Sequence, residues 1–565
     1  MTVVTQPAIQ FVGGEQVVFN PAKPLAELGP HDIRLRVDAC GLCFSDTKLL
    51  HAFTSHPRKS AVVRVEADAI GASQGGFDPN QPPAERLAAL AASPQYVPGE
   101  APVVPGHEVT GHIVAIGSAV TGHEVGQRVL VQTDYRHLPT PGSNAALGYT
   151  FDGGLQPYLT VDERVVIDPA TGDHFLIPVG DQPTNSAVAL CEPWACVEAA
   201  YAWGERQAIK PGSTVLVVAE TGRTDPGLAG LLAAAGPGRV DLLADAVDLA
   251  GLPNLCRIED IGSGPYDDIV YLGSDADKLE RLAELLGFGG LLVFALGGGR
   301  LARPVQIDVG RVHYDLIRLA GTTGESVAQA YASIPALTEI RPGNKVAIIG
   351  SAGPMGLMHT MRAAVAGVPG VSIVAADVDD ARLAHLAALV APVAAAHGVP
   401  LACQNSANEP LAGGFDYISV MVPSPGLVAQ AINLAGPGAI VNAFAGFAVG
   451  TMAALDLEAM AERGIYLMGT SGSRIRDMRA ILAKVESGVL DTNVSLDAVC
   501  GLAGVPDALA AIANRTSTGK IMVYPSLTDF GLVRLVDLAT VRPDVAALMD
   551  GPRWTSAAEA ALLHR

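Results

Sequence analysis

No run of apolar residues in this 565-residue chain approaches the roughly 18 needed to cross a bilayer, and the start Met1-Thr2-Val3-Val4-Thr5 lacks the basic and apolar stretches of a secretory signal. A cytoplasmic location is expected. Cationic side chains are scarce: 37 Lys and Arg face 57 Asp and Glu, for a formal net charge of −20. Such a field disfavours general binding to nucleic acid, although a local basic pocket could hold one phosphate. Seven cysteines, an odd number scattered over the chain, argue against a disulfide framework and for reduced thiols. Aromatics are few, at 5%, and charged residues make up only 17%. What is abundant is glycine, 62 residues, within a 49% hydrophobic composition that can fill several cores. An α/β protein of three or four structural units with a small-molecule partner is the expected class.

Part of the chain is written twice. Lys210-Pro211-Gly212-Ser213-Thr214 leads into the β-branched run Val215-Leu216-Val217-Val218, and Arg341-Pro342-Gly343-Asn344-Lys345 leads into Val346-Ala347-Ile348-Ile349. Each reads as the first buried strand of a parallel sheet. Asp268, Gly290, Gly321 and Gly324 recur as Asp416, Gly438, Gly469 and Gly472, a constant offset of 148 (416 − 268). The early glycines Gly212 and Gly343 differ by 131, so the second copy is longer by 17 (148 − 131) in its first half.

The copies differ where a nucleotide would bind. In the second, Gly350-Ser351-Ala352-Gly353-Pro354-Met355-Gly356 follows a strand and opens a helix, so backbone N–H groups can face a pyrophosphate. Ser351 stands at the first glycine of the usual GxGxxG pattern. The next strand, Val371 to Ala376, ends in Asp377, placed to accept hydrogen bonds from the adenosine ribose and to repel a 2′-phosphate, which favours NAD over NADP. Asp377 could instead cap the helix that follows, and Arg382 just beyond it weakens the cofactor preference. The first copy reads Ala219-Glu220-Thr221-Gly222-Arg223-Thr224-Asp225-Pro226-Gly227, without closely spaced glycines and with acids where a pyrophosphate would sit. It reads as a degenerate, structural copy.

Upstream stand residues of metal-ligand type. Cys43 follows the extended segment Ile33 to Asp38, His107-Glu108 follows Pro105-Gly106 and enters a strand, and Cys191-Glu192-Pro193 opens a helical stretch. Singly, Cys43 could be a buried thiol, His107 a turn residue and Glu192 a first-turn helix acid. Together, thiolate, imidazole and carboxylate make a catalytic zinc set with one position left open.

These stretches, with Gly41-Leu42-Cys43-Phe44-Ser45-Asp46, Gly111, Gly117, Gly126-Gln127-Arg128-Val129, His359 and the closing Gly519-Lys520-Ile521-Met522-Val523-Tyr524-Pro525, resemble the zinc-dependent medium-chain alcohol and polyol dehydrogenase superfamily, in its sorbitol and sugar-phosphate branch. The resemblance implies a GroES-like β-rich catalytic domain at 1–210, a degenerate Rossmann-like domain at 211–341 and an NAD-binding Rossmann domain at 342–495. A return to the catalytic domain at 496–525 and a helical tail at 526–565 would follow. It makes Cys43, His107 and Glu192 ligands of one catalytic Zn²⁺, Glu108 an exchanging ligand or water partner, Ser45 the proton-relay hydroxyl and Asp46 the carboxylate orienting the histidine. Gly350, Ser351, Gly353, Pro354, Met355, Gly356, Asp377 and Arg382 would hold NAD. The implied reaction moves a hydride between NAD and a polyol, sugar or sugar-phosphate alcohol, in a homo-oligomer. An epimerase working by transient oxidation and a non-catalytic scaffold are the rival readings.

The chain departs from the family in three places. Cys43 and His107 lie 64 positions apart (107 − 43), which implies an insertion at about 51–100. No four-cysteine cluster follows Val129, so a structural zinc is not expected. Lys48 stands where many members have a relay histidine. The insertion holds His56, Arg58, Lys59 and Arg64 and a predicted helix Pro83 to Leu90, and its basic run reads better as a solvated face than as a phosphate site.

Overall fold

The β-branched runs at Val215 and Val346 form strands buried on both faces, and each seeds one half of a single twelve-stranded sheet. The computed structural model describes residues 4–59, 91, 93, 95–140 and 143–564, which fall into two units: Met1–Ala195 with Gly472–Arg565, and Cys196–Ser471.

In the second unit the strand order runs Leu255–Arg257, Arg239–Leu243, Thr214–Ala219, Tyr266–Leu272, Leu286–Ala295, Arg318–Thr322, and then Tyr466–Met468, Ala435–Ala443, Phe415–Val420, Lys345–Ile349, Ser372–Asp377, Leu401–Asn405. Numbered within each repeat, this is 3-2-1-4-5-6 followed by its mirror, the order of a doubly wound nucleotide-binding fold. The halves join where Arg318–Thr322 meets Tyr466–Met468 antiparallel, with Leu319 opposite Leu467. A second antiparallel pair, Val305–Asp308 with Met452–Leu455, also ties one repeat to the other. Both inner edges of the sheet are therefore closed within the chain.

The 17-residue difference between repeats has a visible seat. Helix Asp380–Ala396 joins Ser372–Asp377 to Leu401–Asn405, whereas no helix lies between Arg239–Leu243 and Leu255–Arg257.

The first unit is built on an eight-stranded sheet. Strand Asp32–Leu42 lies between Lys520–Val523 and Glu108–Ile116, pairing antiparallel with both. The closing segment of the chain thus lies beside one of the first strands, with Ile521 opposite Leu42. Arg64 and the predicted helix Pro83 to Leu90 lie outside the described residues.

Candidate metal and cofactor sites

Three strands of the first unit deliver their ends to one place. Cys43 follows Leu42 and serves as N-cap of helix Phe44–Ala52, Glu108 opens its strand directly opposite Gly41, and Lys520 opens the third strand. Among the described residues, one ligand atom from each of Cys43, His107 and Glu108 falls within 4.8 Å of the other two. Glu192 is not in that set, although it lies near enough to interact electrostatically with His107, Glu108 and Lys520. It sits in the first turn of helix Cys191–Tyr201, and burial pushes its carboxyl up to about 7 against the pull of His107.

The local sequence explains the approach. A Cβ on Gly41 would lie 2.0 Å from Glu108 Oε2, so only glycine leaves room for this carboxylate across the strand pair. Asp46 works in two directions: Oδ2 accepts the Cys43 N–H at 2.8 Å, closing the helix N-terminus, while Oδ1 lies 3.3 Å from His107 Nδ1. The second contact is an ion pair when the imidazole is protonated. It turns Nε2 toward Ser45, whose Oγ lies 3.1 Å away. Burial works against a charged His107, but Asp46 outweighs it and holds the imidazole well above its ordinary range.

Lys520 is the residue that sequence reading passed over. Its ammonium, 5% exposed, donates to Oε1 of the fully buried Glu108, while Oε2 has no hydrogen-bond partner. Burial resists ionisation of Cys43, yet Lys520 and His107 together draw the thiol below its ordinary value. The only signal was a lysine opening the otherwise apolar run Ile521-Met522-Val523. A thiolate, an imidazole nitrogen and an orphaned carboxylate oxygen are a donor set that zinc accepts. Lys48 is half-buried, its ammonium 5.7 Å from the Phe44 ring.

The expected solvated basic face is not what the described part of the insertion forms. Lys59 is 0% exposed and donates to the carbonyls of Pro98 and Ala101, at 2.8 and 3.0 Å. Arg58 pairs with Asp134, and His56 lies 5.0 Å from the Tyr149 ring. A cation buried among carbonyls is held by them, so these side chains anchor the segment to the domain beneath.

In the second unit the glycine-rich loop turns from strand Lys345–Ile349 into helix Pro354–Val365. Gly350 (φ 81°) makes the turn, one position before Ser351, so Ser351 itself needs no left-handed backbone. Gly353 is the N-cap of helix Pro354–Val365 with nothing closer than 3.9 Å to a Cβ, leaving its backbone open to a ligand. Gly356 is the close-packing position, where a Cβ would meet Gly350 O at 2.2 Å. Pro354 and Met355 occupy the first helical turn. Asp377 Oδ2 accepts the Ala352 N–H at 3.0 Å and so ties the loop to the second strand. The helix cap is Asp379, which accepts the N–H groups of Ala381 and Arg382, so Asp377 is not needed there. Arg382 lies half-buried in that first turn.

The first repeat fills its own loop. Asp225 accepts the Gly227 and Val327 N–H groups, both at 2.9 Å, and Arg223 donates to the Ala295 and Leu296 carbonyls at the end of strand Leu286–Ala295. Glu220 accepts from Tyr271 and Ser274. A carboxylate and a guanidinium of the chain thus take up backbone donors and acceptors of this loop.

Residues 89–170 match the family model described as the alcohol dehydrogenase GroES-like domain. YggP of Escherichia coli, an uncharacterized protein, is 27% identical over 294 residues, 44% of this chain and 66% of its own length, just under two thirds. Sorbitol dehydrogenase of Halalkalibacterium halodurans is 26% identical over 303 residues, 51% of this chain and 68% of that protein. In this segment and in these relatives the chain is similar to the zinc-dependent medium-chain dehydrogenase superfamily. Among solved structures, 2R,3R-butanediol dehydrogenase from Bacillus subtilis covers 92% of this chain and 100% of its own chain, at 14% identity and a TM-score of 0.49. The family match begins at residue 89, after Cys43.

Proposed function

We propose that this chain is a zinc-dependent oxidoreductase that moves a hydride between NAD and a secondary alcohol of a polyol or sugar. The observation that carries the reading is the approach of Cys43, His107 and Glu108 to within 4.8 Å of one another, with Glu108 Oε2 buried and unpartnered. A zinc ion bound by these donors would polarise an alcohol or carbonyl oxygen, and a nicotinamide ring would accept the hydride. The chain's own residues do the rest. Asp46 fixes the His107 ring, Lys520 and His107 keep Cys43 ready to ionise, and Ser45 stands beside the donors where its hydroxyl can accept the alcohol proton while passing its own toward solvent. Glu192, near enough to interact electrostatically with His107, Glu108 and Lys520, would be a further carboxylate ligand for the ion.

Gly350 to Gly356 and Asp377 support one dinucleotide per chain, with the carboxylate favouring NAD. The first repeat acts as a structural partner that closes the sheet edge of the second. The seven free cysteines support a reducing compartment such as the cytoplasm. Relatives named sorbitol dehydrogenase and D-altritol 5-dehydrogenase support the substrate class. The test is a panel of polyols, sugars and their phosphates screened for NADH formation, run beside metal analysis of wild type and Cys43→Ala. One zinc per wild-type chain and loss of zinc and turnover in Cys43→Ala, with NAD affinity kept, is the expected result. Full turnover by zinc-free protein would overturn the proposal.

A further inference from the structure

The twelve-stranded sheet has two outer edges, and they are guarded differently. Its inner junction is already a two-fold contact: Leu319 pairs with Leu467 and Gln306 with Ala454, each 148 positions from its counterpart (467 − 319, 454 − 306). Residues that meet their own repeats mark an isologous interface, so this edge is spent inside the chain. The edges left are Leu255–Arg257 and Leu401–Asn405. The first is only three residues long, and exposed Arg257, Glu259 and Asp260 supply the charges that protect a sheet edge.

The second edge has no such protection. From Leu383 to Asn408, 26 residues (408 − 383 + 1), there is no Asp, Glu, Lys or Arg, in a chain of net charge −20. Within this stretch helix Asp380–Ala396, which the first repeat lacks, exposes Ala381, Ala384, Ala388, Ala391 and Ala395. Their spacing puts them on one helix face, and alanine there lets a second helix approach to about 8 Å. The helix packs on Leu401–Asn405, whose backbone groups alternate in direction. Ile373 N–H donates to Pro400 O and Ser406 N–H to Asp377 O, so the even-numbered residues bond the inner strand. Leu401 and Cys403 therefore turn their N–H and C=O groups outward.

We infer that Leu401–Asn405 and the alanine face of helix Asp380–Ala396 form a two-fold self-association surface, through which two copies of this chain join their sheets edge to edge. The occupant is a second copy on two grounds. Antiparallel pairing centred on Cys403 matches the outward N–H of one chain to the outward C=O of the other, and the reverse. The alanine face is centred on Ala388, so the same antiparallel approach brings Ala388 of one chain to Ala388 of the other. Charge agrees, since strongly acidic copies repel least where neither carries charge. The helix that distinguishes the second repeat supplies the packing, and the edge strand supplies the hydrogen bonds.

The experiment is sedimentation equilibrium of the full-length protein in wild type, Ala388→Glu, Ala388→Lys and Cys403→Asp, with circular dichroism to confirm the fold. Wild type should sediment as two chains. Each variant should weaken dimerisation about 100-fold or more, because like charges meet across the two-fold axis. An equimolar mixture of Ala388→Glu and Ala388→Lys should regain association. A wild type that stays monomeric at micromolar concentration, or a dimer unchanged in all three variants, would overturn the inference. Oxidation with diamide gives a second readout. In a hydrogen-bonded antiparallel pair the Cα atoms lie about 5.5 Å apart, within reach of a disulfide. Cys256→Ser, which removes the other exposed thiol, should therefore still form a covalent dimer, and Cys403→Ser should not. A covalent dimer that persists without Cys403 would also overturn the inference. Should an Ala388 variant fail to fold, Ala391→Glu, on the same exposed face, carries the same comparison.

Discussion

Replacing Lys520 by Met probes the charge balance around Glu108. The Glu108 side chain is 0% exposed, Oε1 rests on the Lys520 ammonium and Oε2 has no partner. Met keeps most of the volume and removes the cation, leaving a carboxylate stranded in the core. Removing one member of such a buried pair costs about 3–5 kcal/mol. A divalent ion held by Cys43, His107 and Glu108 would restore a cation beside the same carboxylate, so the cost should shrink when metal is bound. Denaturant unfolding of wild type and Lys520→Met, each with chelator and with excess zinc, measures both terms. The expected loss is about 3–5 kcal/mol in chelator and less than half of that in zinc. Equal losses in the two conditions would refute the placing of Glu108 at the ion. A loss below about 1 kcal/mol in chelator, the range of solvated pairs, would refute the desolvation argument itself. The same variant should slow alkylation of Cys43 at neutral pH, because the strongest influence favouring its thiolate is gone.

Three further outcomes follow from the geometry. Gly41→Ala should displace the Glu108 carboxylate, whose Oε2 the new Cβ would meet at 2.0 Å, and weaken zinc binding at least tenfold in a competitive chelator titration with little loss of NAD binding. Asp225→Ala should cost about 1–3 kcal/mol by stripping the buried Val327 N–H of its acceptor, and calorimetry should still count one dinucleotide per chain; two per chain would contradict the self-filled first repeat. Acidification should destabilise the protein through buried neutral histidines: burial lowers His137 to about 4 and, with help from Arg362, His359 to about 3. A histidine with a depressed folded value keeps its contribution above its unfolded value near 6.5 and gives it up as pH falls toward the folded one. Melting temperature should therefore drop between about pH 6.5 and 4, less steeply in His137→Phe, and a rise over that window would contradict the burial.

The sequence made some of this legible because the relevant signals were local. Cys43 with Asp46, and His107 with Glu108, stand in short motifs, and the 64-residue gap between them is bridged by the pairing of Asp32–Leu42 with Glu108–Ile116. The repeat offset located the extra segment of the second copy, which is helix Asp380–Ala396. What stayed hidden depends on partners far apart in the chain. Lys520 meets Glu108 across 412 positions, and no local pattern marks a lysine as the counterion of so distant an acid. Glu192 stood in a motif as conspicuous as that of Glu108, and only the sheet register shows which carboxylate lies against Cys43. The basic run at His56 to Lys59 looked like a solvated face because composition carries no information about the Pro98 and Ala101 carbonyls that bury Lys59.

The most direct measurement is the absorption spectrum of the protein reconstituted with Co²⁺ in place of zinc, for wild type, Cys43→Ser and Glu108→Gln. The account predicts one cobalt per chain, a thiolate-to-cobalt charge-transfer band in wild type that vanishes in Cys43→Ser, and an altered ligand-field spectrum in Glu108→Gln. A band that persists without Cys43, or cobalt bound with no sulfur signature at all, would contradict it.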